Sequence, residues 1–314
     1  MKLEQSVNKL VTNKLLKIKL QKSSLKNCYY VLKMLARFYF NKQTQYQVRD
    51  YIAHSTKMEH YLEIDEYLEF ILTPYISSAY SFNQRLSRIN QHFKIVSKLG
   101  EPFTLLSDHQ VVLYEHQQEF NEVGKLKLIL ERSTWLNREG LLVVSIVVGQ
   151  VRAYSIAFSF CNPENISCLV GALQGRNPND IEDINVLYKL ITKALFGLRP
   201  RDVLMEAVKL ICKSVDVNNL SAVADEYRHH RHKYFNKQTF DNNYNHYWLE
   251  KLGALDPDSM FYILPIEQAR KKIEDIPSKK RSMYRKRYSF LDKLEMVIND
   301  CAVNQAIEIK PKYH

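Results

Sequence analysis

The chain has 314 residues, 46% of them hydrophobic and 25% charged, enough for a large core in one domain or two. Only 8 glycines are present and none forms a G-x-G-x-x-G or Walker A sequence, which excludes the glycine-rich nucleotide loops. The longest apolar run, Leu141 to Gly149, is too short to span a bilayer, and lysines interrupt any secretory signal in the first twenty residues, so a cytoplasmic location is expected.

The net charge of +11 is unevenly spread. Residues 1–50 carry 11 Lys/Arg against Glu4 and Asp50; residues 270–287 carry 9 against Glu274 and Asp275; the remainder is net acidic. Basic ends attract phosphate, in lipid or in nucleic acid. Residues 1–20 can form a helix with Leu3, Val7, Leu10, Val11 and Ile18 on one face and lysines elsewhere. Such a helix either docks on the domain or lies on an anionic membrane surface. Residues 25–40 carry a clearer apolar stripe, residues 59–80 read as helical with a break at Pro74, and 83–98 form a helix with Leu86, Ile89, Phe93 and Val96 inward. Residues 1–100 are therefore expected to be a helical region.

After Pro102 the periodicity changes. Val111–Tyr114, Lys125–Leu130, Leu141–Val148 and Ala153–Cys161 read as strands, and their short connections favour antiparallel neighbours. The stretch 166–224 is the central unit. An apolar strand from Ile166 to Leu173 leads into the turn formers of 174–180. A helix over Ile184–Leu195 follows, with Asp180 as its N-cap. Gly197 stops that helix and Pro200 starts another, which buries Val203, Leu204, Ala207, Val208 and Ile211. Leu220–Ala224 is a further strand. A two-helix connection makes the two strands parallel if they share a sheet. A polar loop over 225–243, a short helix over Tyr244–Leu252, a strand over Phe261–Leu264 and a last helix near 280–304 complete the chain. The fold class is α/β (α+β). A mixed, mostly antiparallel sheet domain spans 101–265, with the helical region before it and a basic linker and C-terminal helix, 266–314, packed on it.

Several residues are candidates for chemistry. Gln174, Gly175 and Arg176 leave the end of a strand, where ligands of α/β sheets bind; they are either an ordinary turn or a cradle for a phosphate or carboxylate. Glu226 and His229 follow the next strand and could act as a general base, or belong to a solvated loop with His230 and His232. Arg199 and Arg201 sit at a helix stop and start and could contact an anion. Lys280, Arg281, Tyr284 and Arg285 belong to a basic run interleaved with tyrosine. That run either packs within the chain or binds phosphate groups; nucleic acid is disfavoured because no recognition motif accompanies the charge. No regular metal-ligand spacing occurs. Cys28, Cys161, Cys168, Cys212 and Cys301 lie in apolar surroundings without C-x-x-C spacing, so buried thiols are expected.

Leu173-Gln174-Gly175, Ile191–Pro200 and Ile276–Tyr288, with weaker matches at His60-Tyr61, Asn121–Leu126 and Trp248–Gly253, resemble the VirK/YbjX family of Gram-negative bacteria. The resemblance covers residues 60 to 295. It departs at Phe196, where the family has a His, and at Tyr244–Trp248, where the family has Tyr-Asp-x-x-Trp. The resemblance implies a role in virulence and envelope integrity and no known reaction. The element order is also similar to that of the acyl-CoA N-acyltransferase (GNAT) fold. That similarity implies an acyl-thioester donor, and since the pyrophosphate signature Q/R-x-x-G-x-G/A is absent, acyl carrier protein fits better than coenzyme A. The alternative is a non-catalytic factor at the inner membrane surface that binds anionic lipid or chaperones an envelope protein.

Overall fold

The computed structural model describes residues 73–106, 108–119, 124–132, 135–176, 184–231, 243–257, 259–304 and 309–311, with single positions between 29 and 50. The expected helix over 1–20, most of the 59–80 stretch, Asp180, His232 and Cys28 lie outside these residues. Of the stripe expected over 25–40, Tyr29, Leu32 and Tyr39 are helical and exposed.

Helix α1, Phe82–Leu99, opens on a capping box in which Ser81 and Gln84 satisfy each other's backbone N–H groups. Its expected inward residues Leu86, Ile89, Phe93 and Val96 are all buried. Five strands follow: β1 (His109–Glu119), β2 (Lys125–Glu131), β3 (Leu142–Val148), β4 (Val151–Cys161) and β5 (Ser167–Gly175). Then come α2 (Ile184–Ala194), α3 (Pro200–Ser214), β6 (Asn219–Val223), α4 (Tyr244–Glu250), β7 (Ala254–Leu255), β8 (Phe261–Leu264), the long helix α5 (Ser278–Asn304) and β9 (Ile309–Pro311).

The strands form one nine-stranded sheet in the order β7-β8-β6-β5-β4-β3-β2-β1-β9. All pairs are antiparallel except β5 with β6, which run parallel from Ser167 opposite Asn219 to Val170 opposite Ala222. The α2–α3 connection produces that pair, as its length requires. β5 runs two residues further than its apolar run suggests, because Gln174 and Gly175 keep pairing with Ser155 and Tyr154 of β4. The stretch after Ala224 is not a plain loop: Asp225–Tyr227 and His229–Arg231 form two 3-10 turns. Residues 73–80 are irregular rather than helical, with bends, a turn and a positive φ at Ile76, and bridge to Arg228 through Ser77.

Alternation along the strands separates two faces. Val144, Ile146, Ile156 and Phe158 enter the main core, whereas Val143, Ala157 and Ala172 pack under Leu136 on the other face. α1 packs on β4, α3 on β3 and β4, and α5 on α3 and β1. Cys161, Cys168, Cys212 and Cys301 are buried free thiols. No described helix is long and apolar enough to cross a membrane.

Candidate functional site

Three arrangements of polar side chains surround the α2–α3 crossover and the ends of β5 and β6. The first is a buried cluster. Beyond Val170 and Ala222 the parallel strands part, and α4 fills the gap. The Leu173 N–H donates to the Tyr244 hydroxyl at 3.1 Å, and the Trp248 indole N–H donates to the Val223 carbonyl at 2.9 Å. The Arg228 guanidinium lies 3.7 Å over the Tyr244 ring. Arg228 and Arg231 bind Asp225 at 3.2 and 2.5 Å. Burial raises the Asp225 carboxyl, but the two guanidinium hydrogen bonds prevail and hold it below its ordinary value.

His229 is buried 3.6 Å from Glu139. Burial, together with His230, Arg138 and Arg228, lowers His229 to about 3. Burial raises Glu139 to about 7 despite Arg138 and Arg228. Burial thus favours the neutral form of both groups, so the contact is not a fixed ion pair. Glu226 is exposed and accepts a hydrogen bond from Asn245 at 2.8 Å.

Gln174, Gly175 and Arg176 occupy the second arrangement, a pocket of about 360 Å³ of mixed lining shared with Trp135, Arg152 and Tyr154. Arg152 stacks 4.0 Å over the Trp135 ring and binds Glu131 at 2.5 Å. The Arg176 N–H donates to the Tyr188 hydroxyl at 3.0 Å, and that hydroxyl donates to the Ala153 carbonyl at 3.2 Å. A Cβ at Gly175 would lie 2.5 Å from the Tyr188 oxygen, so the glycine is what lets Tyr188 lock the strand end. Glu226 and His229 do not line this pocket.

The third arrangement is a groove of about 1110 Å³ between α2, the 195–201 turn and the start of α5. It unites the segments 191–200 and 276–288, which are far apart in sequence. The turn is tight: Phe196 and Gly197 both have positive φ, at 54° and 78°. The Phe196 carbonyl accepts from Arg287 Nε at 3.1 Å and Nη2 at 3.0 Å, and Arg287 also lies 4.2 Å from the Tyr284 ring. That clamp docks α5 on the turn. Tyr154, Tyr188, Phe196, Pro200 and Met283 give the groove an apolar lining, and Lys189, Lys193, Lys279 and Lys286 stand along it. No carboxylate among the described residues pairs with any of these four lysines.

Arg199 lines the same groove but is held by Asp202 at 2.6 Å and by Glu250; Arg201 binds Glu250 at 2.9 Å. Lys280 is exposed one turn into α5. Arg281 folds back to donate to the Ile276 and Glu274 carbonyls at 2.9 and 3.0 Å. Tyr284 packs between Arg287 and Tyr288. Arg285 faces a neighbouring groove between α5 and β1. Among the described residues, no group of three or more His, Cys, Asp or Glu side chains is arranged to hold a metal ion.

Sequence reasoning missed Glu139, Lys189 and Lys193; Lys279 and Lys286 belong to the basic run it singled out, but their meeting with α2 was not legible there. Glu139 sits in a short turn, Asn137 to Gly140, where a carboxylate is ordinary; only the fold half-buries it. Lys189 and Lys193 lie one turn apart on α2, a visible spacing, but their partners Lys279 and Lys286 lie some ninety residues on.

Comparison with known proteins places the chain. Residues 23–300 match the family described as "Protein of unknown function (DUF535)". An uncharacterized protein of Haemophilus influenzae is 28% identical over 275 residues, covering 86% of this chain and 88% of the relative. A second from that organism is 27% identical, covering 84% and 90%. The uncharacterized protein YbjX of Escherichia coli is 28% identical over 229 residues, covering 71% and 68%. No solved structure matches. The chain belongs to the DUF535 family, which is the VirK/YbjX family of proteins of unknown function.

Proposed function

We propose that this protein binds a phosphate-bearing amphiphile in the groove between α2 and α5, and that it acts as a peripheral factor on an anionic membrane surface in envelope maintenance. One observation carries the reading: four lysines without carboxylate partners among the described residues stand around a groove lined by tyrosine, phenylalanine, proline and methionine. A solvated basic face has no need of an apolar lining, and an apolar core pocket has no place for four ammonium groups. Together they match a headgroup next to hydrocarbon. Lysine suits this task as a strongly hydrated, mobile charge that does not demand one geometry. The test is co-sedimentation with vesicles of phosphatidylcholine alone and with phosphatidylglycerol added. Each basic residue near an anionic surface contributes about 1 kcal/mol. Replacing Lys189, Lys193, Lys279 and Lys286 by Ala together is expected to weaken binding to the anionic vesicles by about 100-fold or more. Unchanged partitioning of the folded variant would overturn the reading.

A second reading, acyl transfer from a thioester donor, is favoured by a different observation. The parallel pair β5–β6 parts as the strands of an acyltransferase sheet do, and Glu139, at about 7, lies beside the parting. Under this reading Glu139 rather than Glu226 or His229 is the base, since burial raises its carboxyl towards neutral pH. Tyr244 and Trp248 fill the gap between the strands, so a donor would have to reach the centre from the Gln174–Arg176 pocket. Loss of a general base costs about 10²–10⁴-fold in rate. Glu139→Gln, compared with Glu226→Gln and His229→Ala in an acyl-transfer assay with acyl carrier protein, separates the three residues. Equal rates for all three variants and the wild type would remove this reading.

A further inference from the structure

The lysine-lined groove does not end at the α2–α3 turn. Phe196 and Lys286 line it and also line a second groove, about 1250 Å³, between β1 and α5. The walls of the second groove are Val112 and Tyr114 from β1 and Phe290, Met296 and Val297 from α5. Tyr114 and Phe290 meet edge to face with ring centroids 4.8 Å apart. Met296 is 59% exposed although it faces an apolar wall. The rim is cationic: Arg285, Lys286 and Lys293 have no carboxylate partner among the described residues, while Glu115 is engaged by Lys125 at 2.9 Å and Lys127 at 3.3 Å.

We infer that the groove between β1 and α5 holds the hydrocarbon chain of the anionic amphiphile, an inference that rests on the function proposed above. The two grooves meet at Phe196 and Lys286, so a ligand whose head is bound by Lys189 and Lys193 has an apolar continuation at the far side of that junction. Valine, methionine and aromatic edges present no hydrogen-bonding group to the chain, and methionine adapts to a flexible methylene run. Arg285, Lys286 and Lys293 around the opening favour an anionic head, while the one carboxylate of the lining, Glu115, is engaged by Lys125 and Lys127.

Monomeric alkyl phosphates test this without a membrane. Tetradecyl phosphate is expected to bind the full-length chain at least about 100-fold more tightly than butyl phosphate, because each buried methylene adds affinity. Val112→Trp with Val297→Trp fills the groove and is expected to erase that chain-length preference while leaving butyl phosphate binding unchanged. Met296→Glu, at an exposed position that folding tolerates, is expected to weaken tetradecyl phosphate selectively. Lys189→Ala with Lys193→Ala is expected to weaken both phosphates alike. Equal affinity for the two phosphates in the wild type, or an undiminished preference in the filled and Met296→Glu variants, would overturn the inference while leaving the lysine site intact. If neither phosphate binds, a neutral tetradecyl glycoside decides separately. Its binding, blocked by the Trp pair, would keep the tail groove and remove only the anion site. Its failure to bind removes both, as does capture by the groove of an amphipathic peptide helix alone.

Discussion

Lys209 is an ammonium with nowhere to go. It lies on α3 with 3% of its surface exposed, and its Nζ has no hydrogen-bond partner among the described residues. Burial pushes its pKa below the ordinary 10.5, Glu206 opposes this, and the Lys251 charge adds to the fall. The folded value lies below the unfolded one, so the cost to stability is largest below the folded value and fades as pH rises to the unfolded one. Lys209→Met keeps the stem and removes the charge. It is expected to stabilise the fold by about 1–2 kcal/mol at neutral pH, with the gain shrinking at alkaline pH. Urea denaturation at the two pH values checks both parts, and a destabilised Met variant would mean that the ammonium is needed. In the Glu139–His229 contact the carboxyl titrates in the other direction and the imidazole in the same one. Glu139 is raised from 4.5 to about 7, so its contribution is full below 4.5 and lost as pH rises through 7. His229 is lowered from 6.5 to about 3, so its contribution is full above 6.5 and lost as pH falls towards 3. The two slopes oppose each other between 4.5 and 6.5. Glu139→Gln is expected to remove the loss on the neutral side, raising stability at pH 7 by up to about 3 kcal/mol and leaving a profile that climbs with pH. Denaturant midpoints across that range give the answer; a profile identical to the wild type would show that Glu139 is ionised in the fold.

At the scale of elements, two close approaches fix the arrangement. A Cβ at Gly171 would fall 1.9 Å from the Glu139 carbonyl oxygen, and one at Gly140 would fall 2.3 Å from the Phe158 nitrogen. β5 therefore lies directly against the turn that carries Glu139. Gly171→Ala is expected to cost about 1–3 kcal/mol by overpacking and to alter the Glu139 titration, which a substitution elsewhere on β5 would not do. Thermal unfolding and a carboxyl titration of the variant measure the two effects. These contacts were not legible in the sequence, because a glycine inside an apolar strand shows only that something is near. What could be read was set by long, uniform patterns. The apolar residues of α1 and α3 and the runs of β2 to β5 are core positions, and the two-helix connection makes β5 and β6 parallel. β7 and β9, with two and three residues, are too short for any periodicity. Of the site, Gln174, Gly175 and Arg176 were visible as turn formers at a strand end. The groove was not, because it exists only after Arg287 has clamped α5 to the Phe196 carbonyl. Arg287→Lys keeps the charge and loses one of the two hydrogen bonds, and it is expected to weaken amphiphile binding through the groove's shape.

For the whole molecule, the question is whether the stretches 1–100, 101–265 and 266–314 behave as separate bodies. The contiguous core includes Leu86 and Phe93 of α1, Val144 and Phe158 of the sheet, Val203 and Ile211 of α3, and Leu294 and Ile298 of α5. The sheet is continuous from β7 to β9, and β9 returns the end of the chain to β1. Detached from the sheet, α5 would expose the apolar surface of its own Leu291 and Leu294, so the C-terminal helix has no stable position apart from the sheet. The expected behaviour is one cooperative transition. The two tryptophans make this measurable. Trp248 is buried between α4 and β6, while Trp135 is 48% exposed at the edge of the Gln174 pocket. In a Trp135→Phe background the remaining fluorescence reports the core around β6, while far-UV circular dichroism reports all helices. Coincident denaturation curves from the two probes are expected. A Trp248 transition displaced from the dichroism curve would instead show that the helices and the sheet unfold independently. The groove between α2 and α5 would then have to be treated as an interface between two bodies, open to widening when an amphiphile enters.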